Sequence, residues 1–572
     1  MMLMICFPSM HFASLGYITP REVTARTPHH GMTFFRSIFT LLVLSSTAHA
    51  ADGGSLPDRL DSKQAAGEQA LSGSELAAKH CTHCHGIPDP NQLPKEAWPQ
   101  LFDLMSAVVS AWPAEGTHAA KVLTRPDPWD EASGKTMLEY FVKHAPSEEE
   151  IRSSIQKPAA ITIPDADFQP TLFGLPSGRF LTMLHYDAGN RMMLLGLGQT
   201  RVNQGQTKVF NYNAFVMLTQ SREMISFTKH PSPPIHVDLL DNALRLTLIG
   251  DMAEDIGEGE VVEFSWNQGK IAQTSLLRDL PRPVGSRTID FDADGVDDLL
   301  VGGFGGNMGT GESAIYWGGA ASPAEAKQII FPASGSLDPE VADFNGDGKP
   351  DILLLIAQRT QALHLYLNLG ERRFEQRTLI QRPIGWGYMD LEVVDIDTDG
   401  DLDIITVAGN NMELKPPPLK AYHGIRIWIN DTEKMTAGVR GHPSLREAYF
   451  YPLYGAGQVL VLDADGDGAL DLAATAFAPD WTQQWPETFV LLKQTARLEF
   501  QPYHVSPAHW LRWTFLSKGD DWRSGGSTLL LGDTWLPFGA SDQMPARLKK
   551  ILESPSQIYS LQLHLGMKQR NE

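Results

Sequence analysis

From residue 171 onward, short apolar runs alternate with Gly- and Asp-rich breaks, the pattern of β-strands joined by turns. Four acidic segments follow one template: Asp290-Phe-Asp-Ala-Asp-Gly-Val-Asp-Asp298, Asp343-Phe-Asn-Gly-Asp-Gly-Lys-Pro-Asp351, Asp395-Ile-Asp-Thr-Asp-Gly-Asp-Leu-Asp403 and Asp463-Ala-Asp-Gly-Asp-Gly-Ala-Leu-Asp471. Each runs directly into strand-like residues: Leu-Leu-Val-Gly-Gly, Ile-Leu-Leu-Leu-Ile, Ile-Ile-Thr-Val-Ala and Leu-Ala-Ala-Thr-Ala. Weaker copies start at Asp187, Asp238 and near Asp521, so successive units step by 51, 52, 53, 52, 68 and 58 residues. Repetition at this period, with about four strands per unit, predicts a seven-bladed β-propeller over 171–566. Residues 557–565 alternate like a closing strand.

The chain before residue 171 reads differently. Ser74-Glu-Leu-Ala-Ala-Lys-His80 has strong helix formers behind Ser74 as an N-cap candidate. Residues 131–144 set Met137, Leu138, Phe141 and Val142 at helical spacing. Charge runs and prolines over 147–170 read as a linker. Residues 71–146 are thus expected to form a small all-α domain, preceded by a flexible 51–70. Residues 32–51 have the layout of a secretory signal peptide: Arg36, an apolar stretch from Ile38 to Leu44, and Ala48-His49-Ala50 before Ala51. That stretch is too short for a permanent span; a membrane anchor is the competing reading. Met32 is the expected true start, with 1–50 as upstream stretch plus leader, and the mature chain as periplasmic or extracellular.

Composition changes the picture in two ways. The net charge is −21, and the 50 leader residues carry three Arg and one Glu, so their removal gives −23. An acidic chain of this kind argues against a nucleic-acid partner, which needs clustered Lys and Arg. Only Cys6, Cys81 and Cys84 occur, which excludes a disulfide scaffold.

Cys81-Thr-His-Cys84-His85 is the c-type haem attachment signal: two thiols bond the porphyrin vinyl groups and the next histidine faces the iron. A zinc site would want further Cys or paired His, and a thioredoxin-like pair would follow a strand. The run His85-Gly-Ile-Pro-Asp-Pro-Asn-Gln-Leu-Pro-Lys-Glu-Ala-Trp98, followed by Met105, resembles cytochrome c domains. That resemblance implies one covalent haem c held by Cys81, Cys84 and His85, with Met105 as distal ligand. Met137 is the runner-up, with His118 and His144 behind it, and Met105 as a plain core residue is the alternative.

The acidic segments place side-chain oxygens at positions 1, 3, 5 and 9 around a Gly turn, which suits a hard cation. The set is Asp290, Asp292, Asp294 and Asp298; Asp343, Asn345, Asp347 and Asp351; Asp395, Asp397, Asp399 and Asp403; and Asp463, Asp465, Asp467 and Asp471. Position 12 lacks the bidentate Glu of an EF-hand, and a metal-free Asx turn is the other reading. The repeats resemble the FG-GAP/VCBS family of calcium-binding propeller blades, which implies up to four calcium ions.

The insertion 409–426 and the segment 385–390 make Trp386, Tyr388, Glu413, His423 and Arg426 candidates for a binding face, with ordinary loop packing as the alternative. No Ser-His-Asp arrangement, phosphate loop or second redox cofactor is evident, and no catalytic residue is identified. The expected function is an exported monohaem cytochrome with a calcium-stabilised propeller, passing electrons to a redox partner protein or from a small-molecule donor. A periplasmic haem-dependent oxidoreductase acting on a small organic or sugar substrate stays open. So does an adhesion or carbohydrate-binding module. No stable membrane span is expected.

Overall fold

The structure is a computed structural model that describes residues 71–82, 87–110, 128–163, most of 171–533, and 557–562. It is mainly β. Antiparallel four-stranded sheets run in chain order over 179–230, 234–280, 283–331, 340–382 and 388–452. The strands Trp513–Asp520, Ser527–Asp533 and Gln557–Gln562 form another four-stranded sheet with Thr171–Gly174, so the two ends of the propeller region are paired. A sheet over 456–504 has five strands, because Ile161–Thr162 adds in parallel beside Glu499–His504.

The second strand of each sheet explains why the sheets stack. In Ile352–Ile356 every residue is 0% exposed, as a strand covered on both faces must be. Side chains alternate, so neighbours in sequence serve different interfaces. Ile352, Leu354 and Ile356 pack with Leu300 and Ile315 of the preceding sheet, while Leu353 and Leu355 pack with Ile404 and Trp428 of the following one. Ile405 and Val407 continue to Leu472 and Ala474, and Ala473 to Trp513, Leu529 and Leu531. Leu530 packs with Leu181 and Leu195, Leu194 with Leu246 and Val262, and Val261 with Leu299 and Val301. The succession of clusters returns to its start, so the sheets form a closed propeller.

Helix α1 (Gly73–Cys81) opens the N-terminal part, with α2 (Trp98–Ser110), α3 (Glu131–His144) and α4 (Glu148–Ser154) following. The N-cap of α1 is Ser72, not the expected Ser74: Glu75 N donates to Ser72 Oγ (3.4 Å) and Ser72 N to Glu75 Oε2 (2.8 Å), a reciprocal capping box. Helices α1 and α3 cross closely at Gly73, where a Cβ would lie 2.4 Å from Tyr140 Cβ.

The expected class, a seven-bladed propeller preceded by a separate all-α cytochrome c domain, is corrected on both counts. Among the described residues six blades rather than seven have the four-stranded propeller form, and the remaining sheet has five strands, one of them taken from the segment that follows the helices. The helices do not enclose a core of their own. Their cluster of Leu76, Ala77, Trp98, Met137 and Phe141 is completed by Leu414 of the propeller, only 2% exposed. Gln92 Nε2 donates to Ile384 O (3.2 Å), Arg152 pairs with Asp480 (2.6 Å), and Lys157 pairs with Glu487. A detached domain would make none of these bonds. None of the described helices is long and apolar enough to cross a membrane.

Candidate functional site

The four Asp loops share one geometry. The carboxylate at position 1 accepts the N–H groups of positions 5 and 6: Asp290 from Asp294 (3.2 Å) and Gly295 (2.8 Å), Asp343 from Asp347 (3.0 Å) and Gly348 (2.8 Å). Asp395 and Asp463 repeat this with Asp399 and Gly400, and with Asp467 and Gly468. The position-6 glycine is needed for backbone conformation, not for room. Gly295, Gly348, Gly400 and Gly468 have φ of 83–93°, and a Cβ on any of them would meet nothing within 4 Å.

The carboxylate at position 9 has another task. Asp351 is fully buried, and its two oxygens accept Phe344 N (3.0 Å) and Asn368 N (2.7 Å). Asp298 does the same with Phe291 and Gly318, Asp403 with Ile396 and Asn430, and Asp471 with Ala464 and Gln494. Each ties its loop to the next strand of its own sheet. Burial pushes Asp351, Asp403 and Asp471 up to about 6.

Oxygens of Asp290, Asp292 and Asp294 lie within 4.8 Å of one another, as do those of Asp395, Asp397 and Asp399, and of Asp463, Asp465 and Asp471. At position 3, Asp397 Oδ1 and Asp465 Oδ1 are buried and make no hydrogen bond. Oxygen-only donor sets with orphaned carboxylate oxygens fit a hard divalent cation. In the second loop Asn345 takes the place of an Asp, and its Oδ1 accepts Asp347 N (3.0 Å). A basic side chain sits against every loop: Arg372 on Asp292 (2.6 Å), Lys349 on Asp347 (2.7 Å), Arg497 on Asp397 (2.7 Å) and Lys493 on Asp465. Arg372 and Arg497 come from the following sheet, so they also bridge blades.

Two of the weaker copies use their Asp otherwise. Asp187 closes a turn by accepting Asn190 N (3.0 Å) and Nδ2 (2.8 Å), and Asp238 accepts Thr288 N (2.7 Å) from the next sheet. Asp521 lies outside the described residues.

Of the haem candidates, Cys84, His85 and His118 lie outside the described residues. Cys81 ends α1, half-buried, and packs against the helical cluster, as do the partly covered Leu101, Phe102 and Leu104. Met105 is half-buried on α2. Met137 is 1% exposed inside the helical cluster, and His144 is exposed with Nδ1 on Tyr140 O (2.7 Å).

The loop candidates do converge. Trp386 stacks on Tyr422 (4.4 Å, 11°), Arg426 lies 4.9 Å from the Trp386 ring and 3.9 Å from that of Phe450, and His423 is 1% exposed beside Tyr422. Burial, helped by Lys420 and Arg426, drives His423 well below its usual pKa, so it is neutral. Glu413 lies outside the described residues.

Sequence reasoning missed a charged group on the first strands of the sheets. Arg287 donates to Asp338 through both terminal nitrogens (3.0 and 2.9 Å) and to Glu340 (2.8 Å), and Nη1 also reaches His236 Nε2 (2.6 Å). Burial opposes the Arg287 charge, but Asp338 and Glu340 outweigh it and raise its pKa. Burial drives His236 below its usual range, which leaves its ring free to accept. Burial, then Glu340, pushes Glu392 up to about 7. Glu392 and Lys518 line a recess of about 300 Å³ with Val394, Leu462 and Leu470. A signal was present: Arg287, Glu340, Glu392 and Lys518 each stand three residues before the first Asp of a unit.

The FG-GAP-like repeat family matches residues 290–354 and 343–406, the two units whose loops begin at Asp290 and Asp343. The chain carries FG-GAP-like repeats. The match ends within the propeller and does not reach the helices. No curated protein matches the chain. Among solved structures, the N-terminal domain of Nup159 is similar at 10% identity and a TM-score of 0.34, covering 70% of this chain and 99% of that one. The Dos1 propeller is similar at 9% identity and a TM-score of 0.38, covering 69% and 95%.

Proposed function

We propose that this protein is an exported docking propeller that carries one covalent haem on its helical segment and exchanges electrons with what it docks. The docking part rests on the FG-GAP-like repeats, whose stacked blades present loops on a rigid frame. The observation that carries the electron-transfer part is Leu414, which seals the helical cluster. A group tethered at Cys81 would therefore keep a fixed position beside the loop face. Cys81 and Cys84 would hold the porphyrin and His85 and Met105 its iron, which would supply one-electron chemistry. Up to four calcium ions in the Asp loops would neutralise clustered carboxylates and pin the turns. Placement in the periplasm or outside the cell rests on the leader at 32–51.

The charged recess with Glu392 favours a second reading, in which the propeller takes a small organic substrate and the haem removes its electrons. One experiment separates the readings. The chain is produced in a host that attaches haem, oxidised, and followed by its visible bands as small redox proteins or organic reductants are added. Reduction by redox proteins alone supports the carrier; reduction by a small substrate alone supports the oxidoreductase. Absence of covalent haem in the unaltered chain, or its persistence with Cys81→Ser and Cys84→Ser combined, overturns both and leaves the docking propeller.

A further inference from the structure

We propose that Arg382, Arg426, Tyr388 and Trp386 form a binding site for the oxyanion of a small ligand, with the Glu447 carboxylate standing where that oxyanion would sit. The site goes beyond the docking reading and does not depend on haem at Cys81. Three buried donor atoms there make no hydrogen bond: Arg382 Nε, Arg426 Nε and Trp386 Nε1; the buried Tyr388 hydroxyl has Arg382 beside it. Buried donors without acceptors are costly, and native proteins leave few of them. Here three are gathered around one place, with the Tyr388 hydroxyl next to them. Arg382 and Arg426 lie 4.8 and 4.9 Å from the Trp386 ring, and Arg382 and Arg426 both face Tyr388.

The charge is as unusual as the missing bonds. Arg426 has a side chain only 7% exposed, in a chain of net charge −21. Among the described residues the carboxylate that answers both arginines is Glu447, and its Oε2 lies 3.5 Å from each, beyond the usual range of a charge-assisted hydrogen bond. Glu447 is also 39% exposed, so it can swing out to solvent. The fork of two guanidinium groups then meets a carboxylate, sulfate or phosphate group, while the stacked Trp386 and Tyr422, both half-buried, offer a ring face to whatever carries it.

The test is calorimetric titration of the full chain with acetate, sulfate, phosphate and glucuronate at fixed ionic strength, with chloride as control. At least one oxyanion is expected to bind saturably, and chloride is not. Glucuronate binding more tightly than acetate would identify a sugar acid over a free oxyanion. Arg426→Gln should weaken binding about tenfold or more, since it removes a charged donor. Glu447→Gln should strengthen binding, because it removes the competing carboxylate. A purely structural arginine pair would not invert sign in this way. Arg382→Lys, at a more exposed position, replaces Arg426→Gln if the latter fails to fold. Absence of saturable binding by all four anions, or equal affinity in the unaltered chain and the Glu447→Gln variant, overturns the site.

Discussion

Replacing Asp351 with Ala or Asn separates what the Asp loops do for the fold from what they do for a metal. The Asp351 carboxylate is buried, with one oxygen on Phe344 N and the other on Asn368 N. Alanine leaves both N–H groups buried without acceptors. At about 1–3 kcal/mol for each unsatisfied group, the loss is about 2–6 kcal/mol. That is a large part of the roughly 5–15 kcal/mol by which a folded domain exceeds its unfolded state. Asparagine keeps one acceptor and turns an NH₂ toward the other N–H, so about half the loss is expected. Asp347→Asn is the contrast, because Asp347 sits at the rim of its loop, where its carboxylate accepts from Lys349 and Asn345 and from no strand. The assay is urea unfolding by circular dichroism, with calcium and with excess chelator. Asp351→Ala should destabilise by the same amount in both conditions. Asp347→Asn should cost stability with calcium and nearly nothing with chelator. A chelator-treated Asp351→Ala protein as stable as the chelator-treated parent would refute the double-acceptor role. Equal calcium responses in Asp347→Asn and parent would refute calcium binding at that loop.

Three further outcomes follow from the packing and the charges. Glu392 sits at about 7 in the folded chain against an ordinary 4.5, so the folded state holds its proton longer; stability should fall as pH rises between those values. Glu392→Gln should remove that part of the slope, measured as the difference in thermal midpoint between parent and variant at pH 5 and pH 8; identical slopes would contradict the burial of this carboxyl. Leu414→Asp should strip the propeller's contribution from the helical cluster, so limited proteolysis should cut within 73–154 faster while the blades melt unchanged. Gly400→Ala should cost about 1–2 kcal/mol from its left-handed backbone alone. Gly409→Ala should cost more, because its Cβ would lie 2.0 Å from Ala456 O and force backbone apart; thermal midpoints that rank the other way would contradict the distinction.

The strands and the Asp loops were legible because both follow local rules. The short continuous apolar run Ile352–Ile356 and its counterparts, each bounded by Asp and Gly, mark strands covered on both faces, and the position-6 glycine answers a backbone requirement that any reader of turns can see. Position 9 was legible as an acid but not as an acceptor of two backbone N–H groups. Spacing alone cannot tell whether Asp298 or Asp403 turns toward an ion or into the sheet. The first-strand charges were overlooked because Arg287, Glu340 and Glu392 look like the polar half of an ordinary alternating strand. Only the stacking of one blade on the next brings Arg287 against Asp338 and Glu340.

The helices show where local reading stops. Their caps, spacing and termini are written nearby, and the helix expected over 131–144 spans Glu131–His144. Their docking depends on Leu414 and Ile384, which lie in a propeller insertion and the turn before it, far along the chain. In isolation the 71–146 stretch reads as a self-contained unit, because its own apolar residues have the spacing to cover one another. They do not cover one another completely: the cluster around Trp98 and Phe141 includes Leu414, and Leu101, Phe102 and Leu104 stay partly open. The insertion that lengthens the step after Asp395 therefore has a structural task at Leu414. A few residues on it places Tyr422 and Arg426 beside Trp386. Helical docking and the buried arginine pair thus draw on one stretch of chain. An oxyanion that ordered Arg426 and Tyr422 would also tighten the seat of the helices, so its binding should slow proteolysis within 73–154 in the parent and fail to do so in Arg426→Gln. Protection that is equal in both would show that the two features share a loop without sharing a free energy.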